Sequence, residues 1–180
     1  MKTKLFADKK IVVRELEKSD IKNAGKFRFY INSLIEEDAK LSMNRPATLK
    51  EEVEFIKSVL KGIKDKTAVY LVAECNDKII GTTRIESEKW RKKHIGRFSI
   101  AIIDGYRGVG LGKYLISEII KLAKNNLDSK PTIIQLEVYA NNKLAIGLYK
   151  KMGFKTVAKL PRQIQYKGKL VGEQIMMKNI

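Results

Sequence analysis

Residues 104–113 read Asp-Gly-Tyr-Arg-Gly-Val-Gly-Leu-Gly-Lys, the most informative stretch of the chain. They join a strand-like run, Arg97 to Ile103, to an amphipathic helix predicted over Gly110 to Asn125. The first amides of a helix have no partners within it, and glycines let the main chain approach phosphate oxygens closely. The turn therefore predicts an anion site, to which Arg107 and Lys113 add positive charge. A tight strand-to-helix connection without a ligand is the alternative.

Two common phosphate-binding motifs do not fit this turn. A dinucleotide fingerprint beginning at Gly108 needs a glycine at position 113, which is a lysine. A P-loop whose Gly-Lys pair is 112–113 needs a glycine at 107 and a hydroxyl residue at 114, where arginine and tyrosine stand. The spacing that does fit is Arg-x-x-Gly-x-Gly, formed by Arg107, Gly110 and Gly112.

A second motif lies downstream, where residues 142–154 read Asn-Lys-Leu-Ala-Ile-Gly-Leu-Tyr-Lys-Lys-Met-Gly-Phe. It follows a strand predicted over Thr132 to Tyr139 and predicts a helix that ends at Met152, before the left-handed stop Gly153. Strand, helix, strand and helix in this order are typical of a parallel crossover.

The rest of the chain alternates helical and strand-like patterns. In chain order these are a strand at 11–15, a helix from Ser19 or Asp20 towards Ile35, a helix from the Thr48 and Glu51 capping box to about Gly62, and a hairpin of strands 68–74 and 79–85 around Asn76-Asp77. After Phe154 the chain returns to strand-like runs, with a turn at Gly168 and a last strand at 173–177. No repeat or linker divides the chain, so we expect a single domain over 1–180.

Together the two motifs resemble the signatures of the GNAT superfamily of N-acetyltransferases. Arg107, Gly110 and Gly112 match its acetyl-CoA signature, and residues 142–154 resemble its N-x-x-A-x-x-L-Y-x-x-x-G-F helix. The early helices and the hairpin also occur in that family's order. The resemblance implies an α/β (α+β) fold of the GNAT type, with a mixed, mostly antiparallel, splayed sheet of about seven strands and about four flanking helices.

The resemblance implies acetyl-CoA as the cofactor, lying between strands 97–103 and 132–139. The family holds the acyl oxygen with a main-chain N–H, here near Ile102 and Ile103. The residues that it assigns to the cofactor are Ile102, Ile103, Arg107, Gly108, Val109, Gly110, Leu111, Gly112, Lys113, Asn142 and Tyr149. Asn142 is also a typical helix N-cap.

Amide formation from a thioester needs a neutral amine and a proton for the departing thiolate, but no metal. Tyr149 matches the family tyrosine that supplies this proton, although an aromatic residue on an amphipathic helix is also typical of packing. Many relatives carry a glutamate as general base where Arg97 stands here. Glu86, at the end of the predicted hairpin, is the candidate base, with Glu137 as an alternative.

Composition limits the other functions. The chain has 180 residues, of which 44% are hydrophobic, enough for a sizeable core. One cysteine, Cys75, and one histidine, His94, provide neither a disulfide framework nor a zinc cluster. No apolar run approaches the roughly 20 residues that span a bilayer, and the N-terminus lacks a signal-peptide pattern, so we expect a cytoplasmic protein without membrane partners.

The chain carries 37 Lys and Arg against 20 Asp and Glu, a net charge of +17. Such a charge suits a polyanion, but lysines such as Lys57, Lys61 and Lys64 are interleaved with acidic residues, as on ordinary solvated helices. We therefore do not expect nucleic-acid binding as the main role. The sequence leaves a homodimer open.

The acceptor is the least determined part of the function. Residues 161–173 resemble the closing hairpin of branches that acetylate ribosomal-protein N-termini or amino acids, but Gly172 stands where such relatives often carry an acid. We expect acetyl transfer to a primary amine of a protein N-terminus, an amino acid or a related small molecule, by direct attack on the thioester. One alternative is a binding module whose basic surface contacts nucleic acid or a protein partner. Another is a polyamine or aminoglycoside acetyltransferase, which the positive charge disfavours.

Overall fold

Eight strands form one sheet between two layers of helices in the computed structural model, which describes residues 1–180. The strands are β1 (Lys2–Phe6), β2 (Lys9–Glu15), β3 (Ala68–Cys75), β4 (Lys78–Ser87), β5 (Ile95–Ile102), β6 (Ile133–Tyr139), β7 (Lys155–Tyr166) and β8 (Lys169–Asn179). The α-helices are α1 (Ala24–Glu36), α2 (Leu49–Lys64), α3 (Leu111–Asn126) and α4 (Lys143–Lys151), and short 3-10 turns span Lys18–Ile21 and Trp90–Lys92. The mixed, mostly antiparallel fold is confirmed, with eight strands rather than about seven.

The strand order is β1-β2-β3-β4-β5-β6-β8-β7, and β5 and β6 are the only parallel neighbours. Their ladder is short, because Ile95 to Arg97 pair with Ile133 to Gln135 and no pairing continues beyond them. The sheet therefore divides at β5 and β6, where α3 connects the two strands.

Alternate residues of the strands fill two separate cores, one on each face of the sheet. The larger core lies under α3 and α4 and includes the fully buried Leu111, Leu115 and Ile119. The smaller core lies under α1 and α2 and includes Phe27 and Leu34. No helix of the structure has both the length and the apolar character needed to cross a membrane.

The predicted elements are found with shifted ends, and one strand was missed. β1 is almost wholly exposed, so its sequence lacks the alternation that indicates a strand. Asp20 was expected to cap the first long helix, but it is buried against the guanidinium of Arg14, 2.7 Å away, and α1 begins only at Ala24. The predicted capping box is confirmed at α2, where the Thr48 hydroxyl accepts from the Glu51 amide at 3.2 Å.

Candidate active site

The glycine-rich turn exposes a continuous series of main-chain donors. None of the amides from Arg107 to Lys113 donates a hydrogen bond within the chain, and the first bond of α3 runs from the Tyr114 amide to the Gly110 carbonyl at 3.2 Å. Gly110 precedes α3 and has no side chain that could cap it. Unpaired amides at a helix start, reinforced by the helix dipole, bind anions such as phosphate. The exposed Lys113 adds a full positive charge without an acidic partner.

The glycines of this turn serve different purposes. Gly108 and Gly110 have φ angles of +79° and +92°, which other residues adopt at a cost. Gly112 has an ordinary helical backbone, but a Cβ there would lie 3.0 Å from a methyl carbon of Leu148. Its missing side chain lets α3 approach α4. Leu111 is fully buried and Val109 packs against the larger core, so both anchor the turn.

Arg107 contributes less charge to the turn than the sequence predicts. Its guanidinium forms an ion pair with Glu37, and its Nε donates to the Ile102 carbonyl at 2.6 Å. The Glu37 carboxylate also accepts from the Asp104 amide at 2.9 Å. The positive charge of Arg107, expected to attract an anion, is therefore already balanced by Glu37. The Arg107 side chain instead links the turn to the end of α1.

A second series of donors lies along β5. The Glu88 amide donates to Ile95 at 2.9 Å and the Ile103 amide donates to Ile80 at 3.0 Å, which directs the odd-numbered amides of β5 towards β4. The even-numbered amides therefore point towards β6. That of Phe98 lies at the last pair of the β5–β6 ladder, Arg97 with Gln135, and those of Ile100 and Ile102 lie beyond it. These donors border the opening between the two strands.

Ile102 and Ile103, near which one main-chain donor was expected, consequently differ. The Ile103 amide donates to the Ile80 carbonyl and is therefore not available as that donor. The Ile102 amide faces the opening. The alternation of hydrogen bonds along a strand explains the difference, and it could not be applied before the register with β4 was known.

Tyr149 lies in α4 beneath the point where β5 and β6 separate. Its ring meets those of Phe98 and Phe154 with centroids 6.1 and 5.9 Å apart. Burial raises the pKa of the phenol to about 12. The hydroxyl makes no hydrogen bond within the chain, and no buried side-chain oxygen lacks a partner, so the hydroxyl is not sealed from solvent. Packing and a free hydroxyl donor therefore occur in one residue.

Asn142 is the N-cap of α4, since its side-chain oxygen accepts from the Ala145 amide at 3.3 Å. The expected capping role is confirmed. Leu148, in the second half of the same helix, approaches Gly112 at the start of α3, so the two helices pack against each other.

The opposite face of the sheet carries charged side chains at the same place. Arg97, which points away from Phe98, bridges Glu88 at 3.3 Å and Glu137 at 2.9 Å. Glu86 pairs with Arg97 in the β4–β5 register, but its carboxylate is 54% exposed and lies 3.6 Å from Arg84. Glu137, for which the sequence allowed a purely solvated position, is engaged by Arg97.

Glu173 joins this group although the sequence did not single it out. It is the register partner of Tyr139, so it shares a face with Glu137, two residues before Tyr139 on β6. Burial, followed by the charge of Glu137, raises the pKa of the Glu173 carboxyl. Related acetyltransferases often carry an acid where Gly172 stands, and this chain has Glu173 one residue later. A Cβ at Gly172 would lie 3.0 Å from the Leu160 carbonyl, so this strand pair leaves little space for a side chain there.

Two tyrosines close one side of this acidic face. The Tyr139 hydroxyl donates to the Leu41 carbonyl at 2.6 Å and the Tyr166 hydroxyl donates to the Asp38 carbonyl at 2.9 Å. Their rings meet edge to face with centroids 5.6 Å apart. They fasten the segment 38–41 to the sheet, so the face is walled by this segment and by the β7–β8 hairpin. In the sequence, only the alternation of Tyr139 with the apolar Val138 indicates that the Tyr139 side chain lies on this face.

Comparison with known proteins agrees with this arrangement. The sequence profile described as "Acetyltransferase (GNAT) family" matches residues 32–154. A Sulfurisphaera tokodaii protein named N-alpha-acetyltransferase is 30% identical over 156 residues, covering 79% of this chain and 88% of the relative. The crystal structure of an acetyltransferase of the GNAT family from Streptococcus pneumoniae has a TM-score of 0.81 at 27% identity, covering 94% of this chain and 99% of that one.

A Salmonella typhimurium structure described with its cofactor acetyl-CoA has a TM-score of 0.78 at 17% identity, covering 94% of this chain and 93% of that one. At that identity the likeness is one of fold. The open main-chain donors of the turn and of β5 suit the phosphates and amides of coenzyme A. The chain belongs to the acetyltransferase (GNAT) family, and it is an acyltransferase that uses acetyl-CoA.

Proposed function

We propose that this enzyme acetylates the α-amino group of polypeptide N-termini. The observation that carries the proposal is the group of carboxylates, Glu88, Glu137 and Glu173, on the face opposite Tyr149 where β5 and β6 separate. An ammonium group is attracted to such a face in spite of the net positive charge of the protein, because exposed charges beyond about 10 Å are screened. The Sulfurisphaera tokodaii relative, named N-alpha-acetyltransferase, favours this acceptor over free amino acids or polyamines.

The donor site would use main-chain groups throughout. The amides from Arg107 to Lys113 would hold the pyrophosphate, and the amides of Ile100 and Ile102 would hold the arm and the acyl oxygen. The cofactor supplies an acetyl group activated as a thioester. An N–H placed at the acyl oxygen stabilises the negative charge that develops there during attack. Asn142 would keep its capping bond while its amide nitrogen remains available to the arm.

The two proton transfers of the reaction would take place on opposite faces of the sheet, one at the thiolate and one at the amine. From its ammonium form the acceptor loses two protons as the amide forms, of which one ends on the sulfur and the other in solvent. Tyr149 would donate to the departing thiolate, because burial keeps its phenol protonated throughout the physiological range. Glu173 would accept from the amine, since its raised pKa makes it the better base. Glu86, more exposed, is the alternative base.

A peptide panel tests the acceptor. We expect a peptide with a free N-terminus and one internal lysine to gain a single acetyl group on the α-amine, located by fragmentation in a mass spectrometer. The same peptide with its N-terminus formylated is the matched control and should remain unmodified. Acetylation of spermidine, an aminoglycoside or free amino acids in preference to the open peptide would overturn the proposal while leaving the acetyltransferase activity itself intact.

A further inference from the structure

The connection between β4 and β5, residues 88–94, combines an exposed indole with concentrated positive charge. This β4–β5 loop reads Glu-Lys-Trp-Arg-Lys-Lys-His, and Trp90 is the only tryptophan of the chain. The Trp90 side chain is not used in either core, because the residue is 87% exposed. Its indole therefore offers a large aromatic face that no other part of the chain covers.

The indole is presented by an ordered backbone. The Lys92 amide donates to the Lys89 carbonyl at 3.0 Å, and the Lys93 amide donates to the Trp90 carbonyl at 3.2 Å. Trp90 itself has a φ of +51°, a left-handed conformation that is unfavourable for a bulky side chain. Backbone strain of this kind is typical of functional positions. The structure therefore holds the indole outward instead of leaving it on a loosely arranged loop.

The positive charges of this loop are not offset locally. Lys89, Arg91, Lys92 and Lys93 are exposed, and none forms an ion pair. The one acid of the loop, Glu88, is engaged by Arg97. Elsewhere on the surface opposite charges do pair, as between the exposed Lys66 and Asp128 at 3.6 Å. The β4–β5 loop lacks such pairing, so it differs from an ordinary solvated surface.

We propose that the β4–β5 loop binds single-stranded nucleic acid, with a base stacked on Trp90 and phosphates beside the flanking cations. Stacking on an aromatic ring within a positively charged surface is the general mode of binding to unpaired strands. A groove of about 710 Å³ lies between the loop and Arg97 and can receive the base. Its Glu86 and Glu88 carboxylates can accept from exocyclic amino groups of bases.

An anionic membrane surface fits the loop less well. Peripheral membrane contacts combine basic residues with an apolar face several residues wide. The β4–β5 loop offers one apolar side chain between its cations. The groove shares Glu86 and Glu88 with the acceptor side proposed above, whereas Trp90 and the four cations have no role assigned there.

The single tryptophan gives a direct measurement on the full chain. Trp90 fluorescence should be quenched on titration with oligouridylate or oligothymidylate of roughly ten nucleotides, a length within the range of known single-strand sites. The two oligomers distinguish RNA from DNA. Absence of quenching by both, or a blue shift with phosphatidylserine vesicles in place of quenching by oligomers, would overturn the proposal.

Variants separate stacking from charge, with the anisotropy of labelled oligomers as the readout. Trp90→Ala should weaken binding roughly 5- to 100-fold. Changing Lys89, Arg91, Lys92 and Lys93 to Gln should reduce the slope of log affinity against log salt by about 3. The matched control changes Lys50, Lys57, Lys61 and Lys64, all exposed on α2, to Gln.

Control binding close to that of the native chain supports a local site. An equal loss of slope in the control, or native affinity in Trp90→Ala, would contradict it. Because Trp90 is 87% exposed, thermal unfolding of Trp90→Ala should match that of the native chain, which verifies that the variant is folded.

Discussion

The two faces of the sheet at the β5–β6 separation are built from different parts of the chain. On the α3 and α4 side the polar groups are main-chain amides: those of Arg107 to Lys113 at the start of α3, and those of Ile100 and Ile102, which point from β5 into the opening. On the opposite face they are side chains, which β5, β6 and β8 bring together: Arg97, Glu137 and Glu173. A main-chain site keeps its chemistry when side chains change, whereas a side-chain site can be altered by single substitutions. This difference suits an enzyme that keeps one donor and adapts its acceptor.

The largest expected effect is on turnover and comes from Tyr149, the one side chain proposed to act on the α3 and α4 side. Tyr149→Phe removes the donor for the thiolate and keeps the packing against Phe98 and Phe154. We expect kcat to fall about 100-fold, with acetyl-CoA affinity nearly unchanged. Steady-state kinetics and isothermal titration measure the two quantities. Tyr114→Phe, on α3, is the control; unaltered kcat in Tyr149→Phe would assign the tyrosine to packing alone.

A smaller effect on activity is expected from a substitution on the opposite face, which carries the carboxylates. Glu173→Gln should lower kcat/KM about tenfold and remove the acidic limb of its pH profile. Burial raises the pKa of this carboxyl, so activity in the native enzyme should decline with falling pH at higher values than an ordinary glutamate would give.

The raised pKa also supplies a folding control for Glu173→Gln. Stability associated with the neutral carboxyl is present at low pH and is lost as the pH rises through the raised pKa. The Gln variant should therefore unfold no more readily than the native chain at neutral pH. Glu86→Gln is the matched carboxylate, and a larger loss there than in Glu173→Gln would transfer the role of base to Glu86.

Backbone conformation can be separated from side-chain chemistry with two glycines. A Cβ at Gly108 or at Gly147 would meet no atom within 4 Å, but only Gly108 has a left-handed φ, +79°. Gly108→Ala should lower the free energy of unfolding by about 1–2 kcal/mol and weaken acetyl-CoA binding. Gly147→Ala, inside α4, should raise it by about 0.5–1 kcal/mol. Urea denaturation compares the two, and equal effects would show that the turn is not strained by a side chain.

The smallest effect is expected at the N-cap of α4. Asn142→Ala removes the bond to the Ala145 amide and should cost about 1 kcal/mol of stability. If Asn142 also contacts the arm of the cofactor, its loss should weaken acetyl-CoA binding, whereas Asn142→Asp should restore stability without restoring affinity. Thermal unfolding with and without acetyl-CoA resolves the two contributions.

The same contrast explains which parts of the molecule could be predicted from sequence. The turn and α4 were recognised because their functional groups lie within short, continuous motifs. The acidic face was largely missed, because Glu173 and Glu137 meet only through the register of β6 with β8. The choice between the amides of Ile102 and Ile103 could not be predicted for a related reason, since the direction of each amide depends on pairing with β4. Likewise, the partner of Arg107 lies at the far end of α1.

The short ladder between β5 and β6 has a thermodynamic consequence. Where Ile100 and Ile102 face no strand, the sheet lacks the partner that would complete it. A ligand that supplies those hydrogen bonds binds the folded chain and not the unfolded one, which stabilises the fold by about 2.7 kcal/mol at 100 times its dissociation constant. The persistence of the folded enzyme is therefore tied to the concentration of the molecule that fills this opening, so that its supply governs lifetime as well as rate.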